Sequence, residues 1–222
     1  MNSAAYRQAS SERWVELDRD NRWIWQHQTR RLEAEIIRNN ILSVSDALKK
    51  QMYGPSTAVD SLAKGEEFEE KPETWRRSVY MMAPRFDAHP VLRVFDAVDN
   101  FQSVGSRTVS TTPSGALFML NAPFLWQQAE LMAKRIEQEA GKEPDAQVEH
   151  VYEVAFARPP TDEERMLGIQ FLKRKSATDD KSDNSILVHY CHAIMGLNEF
   201  IYIRLFDWIP QCLQWTKRQH GK

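Results

Sequence analysis

Apolar side chains recur at intervals of three and four along most of this chain, and that period places them on one stripe of an α-helix rather than one face of a strand. Between Arg30 and Leu48 the stripe is Leu32, Ile36, Ile37, Ile41, Val44 and Leu48, with Arg31, Glu35, Arg38 and Asn39 between them. The same period predicts helices near 31–48, 113–140, 144–157, 161–175 and 185–198, packed around one core. Leu125, Ala129, Met132 and Ile136 form the stripe of the long second segment, and Leu187, Tyr190, Ile194 and Leu197 that of the last. Only Arg77-Ser78-Val79-Tyr80-Met81-Met82 suits a strand. The expected fold class is mainly α: an irregular multi-helix bundle with long loops and at most one short strand or hairpin. It forms a single domain over 3–208, followed by a basic tail over 209–222.

Local punctuation sets the boundaries. Thr161-Asp162-Glu163-Glu164 is a capping box, in which Thr161 and Glu164 each satisfy a free donor of the other's backbone. Thr112-Pro113 predicts a second start, with threonine as cap and proline at the first helical position. Pro123 forces a break inside the 113–140 segment, and Gly141 ends it. Pro90 opens a short helix, and Asp20 or Asn21 is the expected cap before Trp23. Gly54 to Glu73 carries glycines, prolines and the run Glu66-Glu67-Phe68-Glu69-Glu70 without periodicity, and is expected to be a surface excursion.

Charge and composition exclude several classes. The 29 basic and 31 acidic side chains give a formal charge of −2, so nothing in the overall balance favours nucleic acid. The apolar runs are far shorter than the roughly 20 residues of a membrane span. With 42% hydrophobic residues, a 222-residue chain buries a core without staples. Its two cysteines, Cys191 and Cys212, exclude a disulfide scaffold and leave open whether they pair. Met1 to Tyr6 shows no basic stretch leading into an apolar one, as expected for a cytoplasmic form or for a piece of a longer exported protein.

Four constellations carry candidate chemistry, each beside an ordinary reading. Arg30, Arg31, Glu33, Glu35 and Arg38, with Arg31 and Glu35 one turn apart and oppositely charged, form a candidate anion or catalytic site, or else intrahelical and interhelical ion pairs. His189 and His192 stand at the spacing of two metal ligands on adjacent helical turns, but nothing nearby completes a set, and buried histidines explain them. Ser110, Thr111 and Thr112 with Arg107 mark a helix start that suits an anion, and equally a cap. Trp14, Trp23 and Trp25 form a candidate aromatic surface for sugars or a partner, against burial in the core. No complete catalytic constellation appears, and no cofactor is expected.

Eight short segments stand in an order that carries a resemblance. They are Ser3 to Ser10, Asp18-Arg19-Asp20-Asn21-Arg22, Arg30-Arg31-Leu32-Glu33-Ala34-Glu35, Arg76-Arg77-Ser78-Val79-Tyr80, Phe95-Asp96-Ala97, Ser110-Thr111-Thr112-Pro113, Leu120-Asn121-Ala122-Pro123-Phe124 and Asn198-Glu199-Phe200. In that order the chain resembles the C-terminal portion of the DUF1553 (PSD1) domain. The resemblance implies a planctomycete or verrucomicrobial protein whose relatives are long, exported chains that join this domain to DUF1549 and often to a cytochrome c-like module. It implies no assigned activity. Among its polar residues, Arg31, Glu35, Arg77, Asp96, Arg107 and Asn198 are expected to meet in one partly buried hydrogen-bonded network, or to line a ligand site.

The resulting expectation is a helical structural or interaction module of a cell-surface or periplasmic assembly. Its partner would be a protein or the upstream domains of a longer relative, without nucleic acid and without a membrane span. The alternative is a domain or enzyme that binds a polysaccharide or redox substrate in a cleft lined by tryptophan and Arg/Glu side chains.

Overall fold

A computed structural model describes residues 16–23, 29–57, 70–83, 89–98, 103, 105–107, 110, 112–173 and 183–203. Trp14, Trp25, Thr111, Cys212, most of the 54–73 segment and the 209–222 tail lie outside the described residues. The fold is mainly α-helical, with one two-stranded antiparallel ribbon among the described residues. Two compact units are distinguished: 1–31 with 201–222, and 32–200. The first holds the ribbon, in which β1 (Arg30–Arg31) pairs with β2 (Tyr202–Ile203), Arg30 opposite Ile203 and Arg31 opposite Tyr202. In the same unit the Asp18 carboxylate accepts from the Arg22 and Trp23 amides at 3.0 and 2.8 Å. Asp18 thus closes a turn over 18–23, and most of the helix that Asp20 or Asn21 was expected to cap falls on 24–28, outside the described residues.

The second unit begins with α1 (Ala34–Val44). This helix is shorter at both ends than the 31–48 expectation. Its start is displaced because Arg31 belongs to a strand. Its end comes early because Asp46 turns the chain through a left-handed φ of 57°, while the Ala47 and Leu48 amides fold back onto the Leu42 carbonyl at 2.9 Å. A short α2 (Pro90–Val94) follows, then α3 (Pro113–Asn121) and α4 (Pro123–Ala140). The break between α3 and α4 falls where proline demands it. Ala122, the residue before Pro123, is driven out of the helical region to ψ 128°. Thr112 holds the cap position of α3 with extended backbone, but its side chain makes no capping bond; Pro113 supplies the start.

Helices α5 (Pro144–Phe156), α6 (Asp162–Leu172) and α7 (Asp183–Met195) complete the bundle, with a single-turn α8 (Asn198–Ile201) after them. The capping box forms as read. The Thr161 hydroxyl accepts from the Glu164 amide at 3.3 Å, and the Glu164 carboxylate accepts from the Thr161 amide at 2.8 Å. The core is built chiefly where α4 packs on α7. Leu125, Ala129, Met132 and Ile136 are buried there against Leu187, Tyr190, Cys191, Ile194 and Met195, with Val148 and Val151 of α5. Leu197 leaves that stripe and is exposed, because α7 ends at Met195 and the chain turns at Gly196. Cys191 is a free, buried thiol, pushed up to about 12 by desolvation and so inert at neutral pH.

The strand candidate at 77–82 is overturned. Ser78–Tyr80 is a turn of 3-10 helix, with single bridges on either side, Lys49 to Arg76 and Thr57 to Met81. The alternation was real but served a turn: Ser78 points inward while Arg77 and Val79 point out. The 54–73 excursion is corrected at its far end as well. Glu70 is buried and Pro72–Thr74 forms a second 3-10 turn, so the segment returns to the core before Glu73.

Gly168 fixes how closely α6 can lie on its neighbours. A methyl group there would stand 2.6 Å from the Tyr190 hydroxyl and 2.8 Å from a Val148 methyl. Alanine favours a helix interior over glycine by about 1 kcal/mol, and overpacking costs about 1–3 kcal/mol. Gly168→Ala is therefore expected to lower stability by up to about 2 kcal/mol, read as a lower denaturation midpoint with an unchanged denaturant slope. Thr161→Ala should cost about 1 kcal/mol through loss of the cap.

Candidate functional site

The most concentrated polar chemistry among the described residues surrounds Arg38. It lies one turn from Ala34 and from Leu42, both buried, so the helix itself carries its side chain into the interior. Five N–H groups are available to a guanidinium, and all five are engaged. Nε donates to Glu70 Oε2 at 3.2 Å, and Nη2 donates to Glu70 Oε1. Nη2 also donates to the Thr74 carbonyl at 3.0 Å, and Nη1 to the Arg76 carbonyl at 2.8 Å and Ser78 Oγ at 3.2 Å. One side chain thus gathers the whole 70–78 segment onto α1. Asn39 adds a clamp, its Oδ1 accepting from both the amide and the hydroxyl of Ser78 at 2.9 Å.

Glu70 is the counter-charge. Its carbonyl accepts from the Trp75 indole N–H at 3.2 Å, and its carboxylate accepts from the Thr74 hydroxyl at 3.3 Å. Burial pushes its carboxyl above the ordinary range, while the charge and hydrogen bonds of Arg38 pull it down. His89, at the cap position of α2, brings Nε2 to 3.6 Å from Glu70 Oε2. Desolvation, reinforced by the Arg38 charge, lowers His89 to about 3, so its ring is neutral at pH 7. Serine, histidine and carboxylate together suggest acyl transfer, but the geometry denies it. The Ser78 hydroxyl meets Asn39 Oδ1, the Glu35 carbonyl and Arg38, none of which can act as its base. The cluster is built to hold chain segments together.

The residues singled out from sequence stand on several separate elements. Glu35 lies one turn before Arg38 and Asn39, and takes a bidentate pair from Arg107 at 2.7 and 3.0 Å, with Glu33 at 3.7 Å from the same guanidinium. Hydrogen bonding from Arg107 holds Glu35 below the usual carboxylate range. Arg31 stands in β1, not on α1, so the one-turn spacing to Glu35 does not apply. Asp96, at a left-handed φ of 55°, accepts from the amide and hydroxyl of Ser110 at 2.8 and 2.7 Å. Arg77 and Asn198 are at the surface. Their neighbours turn inward instead: Arg76 donates to the Tyr53 and Pro55 carbonyls at 2.6 and 2.9 Å.

Glu199 binds Arg158 in a second arginine centre. Arg158 makes bidentate pairs to Glu164 at 2.8 Å and to Glu199 at 2.7 Å, above the rings of Tyr152 and Phe156. Of the histidines, His192 is buried and stacks on Trp126 at 3.9 Å, and exposed His189 meets the same ring edge-on at 5.2 Å. Trp23 is exposed. Among the described residues no group of three or more His, Cys, Asp or Glu side chains is placed to hold a metal. Glu70, His89 and Arg158 were missed from sequence, whereas Arg38 was named there as a member of the Arg/Glu cluster, without its burial. For Arg38 a signal existed, since an arginine in register with Ala34 and Leu42 occupies a buried position and must find partners there.

Two outcomes follow from burial. Arg38→Met leaves Glu70 desolvated and unpaired, and is expected to cost about 3–5 kcal/mol, whereas Arg107→Ala, at a half-exposed pair, should cost under about 1 kcal/mol. Denaturant titration of both variants reads the contrast. The folded His89 value lies below its unfolded value near 6.5, so between pH 6.5 and 3 the unfolded chain takes up a proton that the folded chain refuses. His89 thus removes stability as pH falls through that window. Glu70, raised by burial, acts in the opposite sense, so the histidine part is read as the difference between wild type and His89→Gln. That difference should change by up to about 1.4 kcal/mol per pH unit.

Comparison with curated proteins and with solved structures returns no match. A family model does match, over residues 1–172, and it is described as PSD1, a protein of unknown function (DUF1553). That span holds Arg38, Glu70, His89, Arg107 and Arg158, and leaves Asn198-Glu199-Phe200 beyond it. The chain belongs to the PSD1 (DUF1553) family.

Proposed function

We propose that this domain is a non-catalytic helical module that docks a partner protein, or further domains of a longer chain, in a cell-surface or periplasmic assembly. The observation that carries the reading is the direction in which the chemistry points. The most reactive side chains, Arg38, Glu70, His89 and Ser78, are buried and engaged with one another, while large apolar side chains face water. On α3 the helix buries Gly115 and Met119 and leaves Leu117 and Leu120, one turn apart, exposed on its outer side. Gly115 sits against the Phe95 ring, so the outward setting of the leucines is fixed by packing beneath them. Exposed leucines at this spacing supply the anchors of a helix-face contact.

Immobilised full-length chain should retain a defined protein from the envelope fraction of its source organism, and Leu117→Ser/Leu120→Ser should lose it while melting as the wild type does. Retention of nothing at any salt concentration, or identical retention by the variant, overturns the reading. The exposed Trp23 indole favours a second reading, a surface that stacks on sugars. Affinity electrophoresis in gels containing soluble polysaccharide tests it, with Trp23→Ala expected to abolish any retardation.

A further inference from the structure

We infer that the paired loops 49–57 and 76–82 form a contact surface for an anionic lipid bilayer, inserting apolar tips among headgroups that basic residues beside them attract. Tyr53 is 77% exposed and Val79 74%, with Met52 at 56% and Met82 at 50%. These side chains stand out because the backbone beneath them is fixed from inside. Arg76, itself buried, donates to the Gln51, Tyr53 and Pro55 carbonyls at 3.4, 2.6 and 2.9 Å, and lies 4.4 Å from the centre of the Tyr80 ring. The Tyr80 hydroxyl accepts from the Tyr53 amide at 3.2 Å. Thr57 donates to the Tyr80 carbonyl at 2.8 Å and accepts from the Met82 amide at 2.9 Å. At the tip, Tyr53 and Gly54 are both left-handed, with φ of 63° and 90°, which turns the tyrosine outward.

Charge selects the occupant. Lys49, Lys50 and Arg77 are exposed beside these tips, and neither 47–57 nor 75–83 contains a single acidic residue. Among the described residues, these loops thus set three exposed basic groups beside four exposed apolar or aromatic ones, the pattern that favours an anionic interface. A protein partner is anchored by side chains that enter pockets. Side chains three-quarters exposed at turn tips suit a soft layer that closes around them. Tyrosine also favours the headgroup level, with its ring in the apolar layer and its hydroxyl in water. This contact is peripheral: no described helix is long and apolar enough to cross a membrane.

Co-sedimentation of the full chain with phosphatidylcholine vesicles containing about 30% phosphatidylglycerol tests the assignment. The wild type is expected to pellet with these vesicles, to stay in solution with pure phosphatidylcholine, and to be released at about 0.5 M salt. Lys49→Glu/Lys50→Glu and Tyr53→Ser/Val79→Ser, each melting as the wild type does, should weaken partitioning by about tenfold or more. A wild type that stays in solution with both vesicles overturns the proposal, as does equal binding to both or undiminished binding by the two double variants. A wild type that ignores vesicles but holds an acidic, phenylalanine-containing peptide through these same residues also overturns it, and gives the surface to a protein ligand.

Discussion

A guanidinium shut away from water holds the second unit of this protein together. Arg38 spends none of its five N–H groups on solvent, and its acceptors lie 32 to 40 residues further along the chain. The arrangement suits arginine alone. Its planar fork meets a carboxylate on one edge and backbone carbonyls on the other, where a lysine would offer three donors from one point. Burial makes the arrangement all-or-none. The attraction between Arg38 and Glu70 repays desolvation only while every partner is in place, so the 70–78 segment is fixed by being indispensable to a charge. The two 3-10 turns, Pro72–Thr74 and Ser78–Tyr80, are local consequences: too short to persist by their own hydrogen bonds, they keep their shape because Arg38 holds the Thr74 carbonyl and the Ser78 hydroxyl and Asn39 holds Ser78.

The device recurs at the other end of the same unit. Arg158 joins Glu164, which already serves the capping box of α6, to Glu199 at the start of α8, so one cation closes the helical hairpin and ties the next turn to it. Arg76 uses carbonyls instead of carboxylates and props the 51–55 loop from below. In all three places arginine does what a larger apolar core would do elsewhere, connecting irregular segments that have too little apolar surface to pack on their own.

That use of polar groups shapes the functional reading. Side chains that could have formed a reactive site satisfy one another, and two exposed surfaces are apolar or basic: Leu117 and Leu120 on α3, and Tyr53, Val79, Lys49 and Lys50 on the paired loops. Such an exterior is suited to contact. The two surfaces lie on different elements of the same unit, so a module of this kind can face a protein and a lipid layer through separate residues.

The sequence by itself determined whatever depends on neighbours within about four residues. The helical period of α4 and α7, the break at Pro123, the stop at Gly141 and the Thr161–Glu164 box are all set by local backbone and side-chain chemistry, and all are legible in order. The segments carrying the family resemblance were legible too, because they are short and follow one another. Tertiary structure decided the rest. The residues at 77–82 alternate like a strand, yet among the described residues their pairing is a single bridge from Thr57 to Met81, and Arg38 captures the Arg76 carbonyl and Ser78 hydroxyl. Glu70 looked like one more solvated acid in an acidic run, and became a buried carboxylate paired with Arg38. A charge's value depends on the dielectric around it and on partners brought by the fold from far along the chain, and no local pattern encodes either.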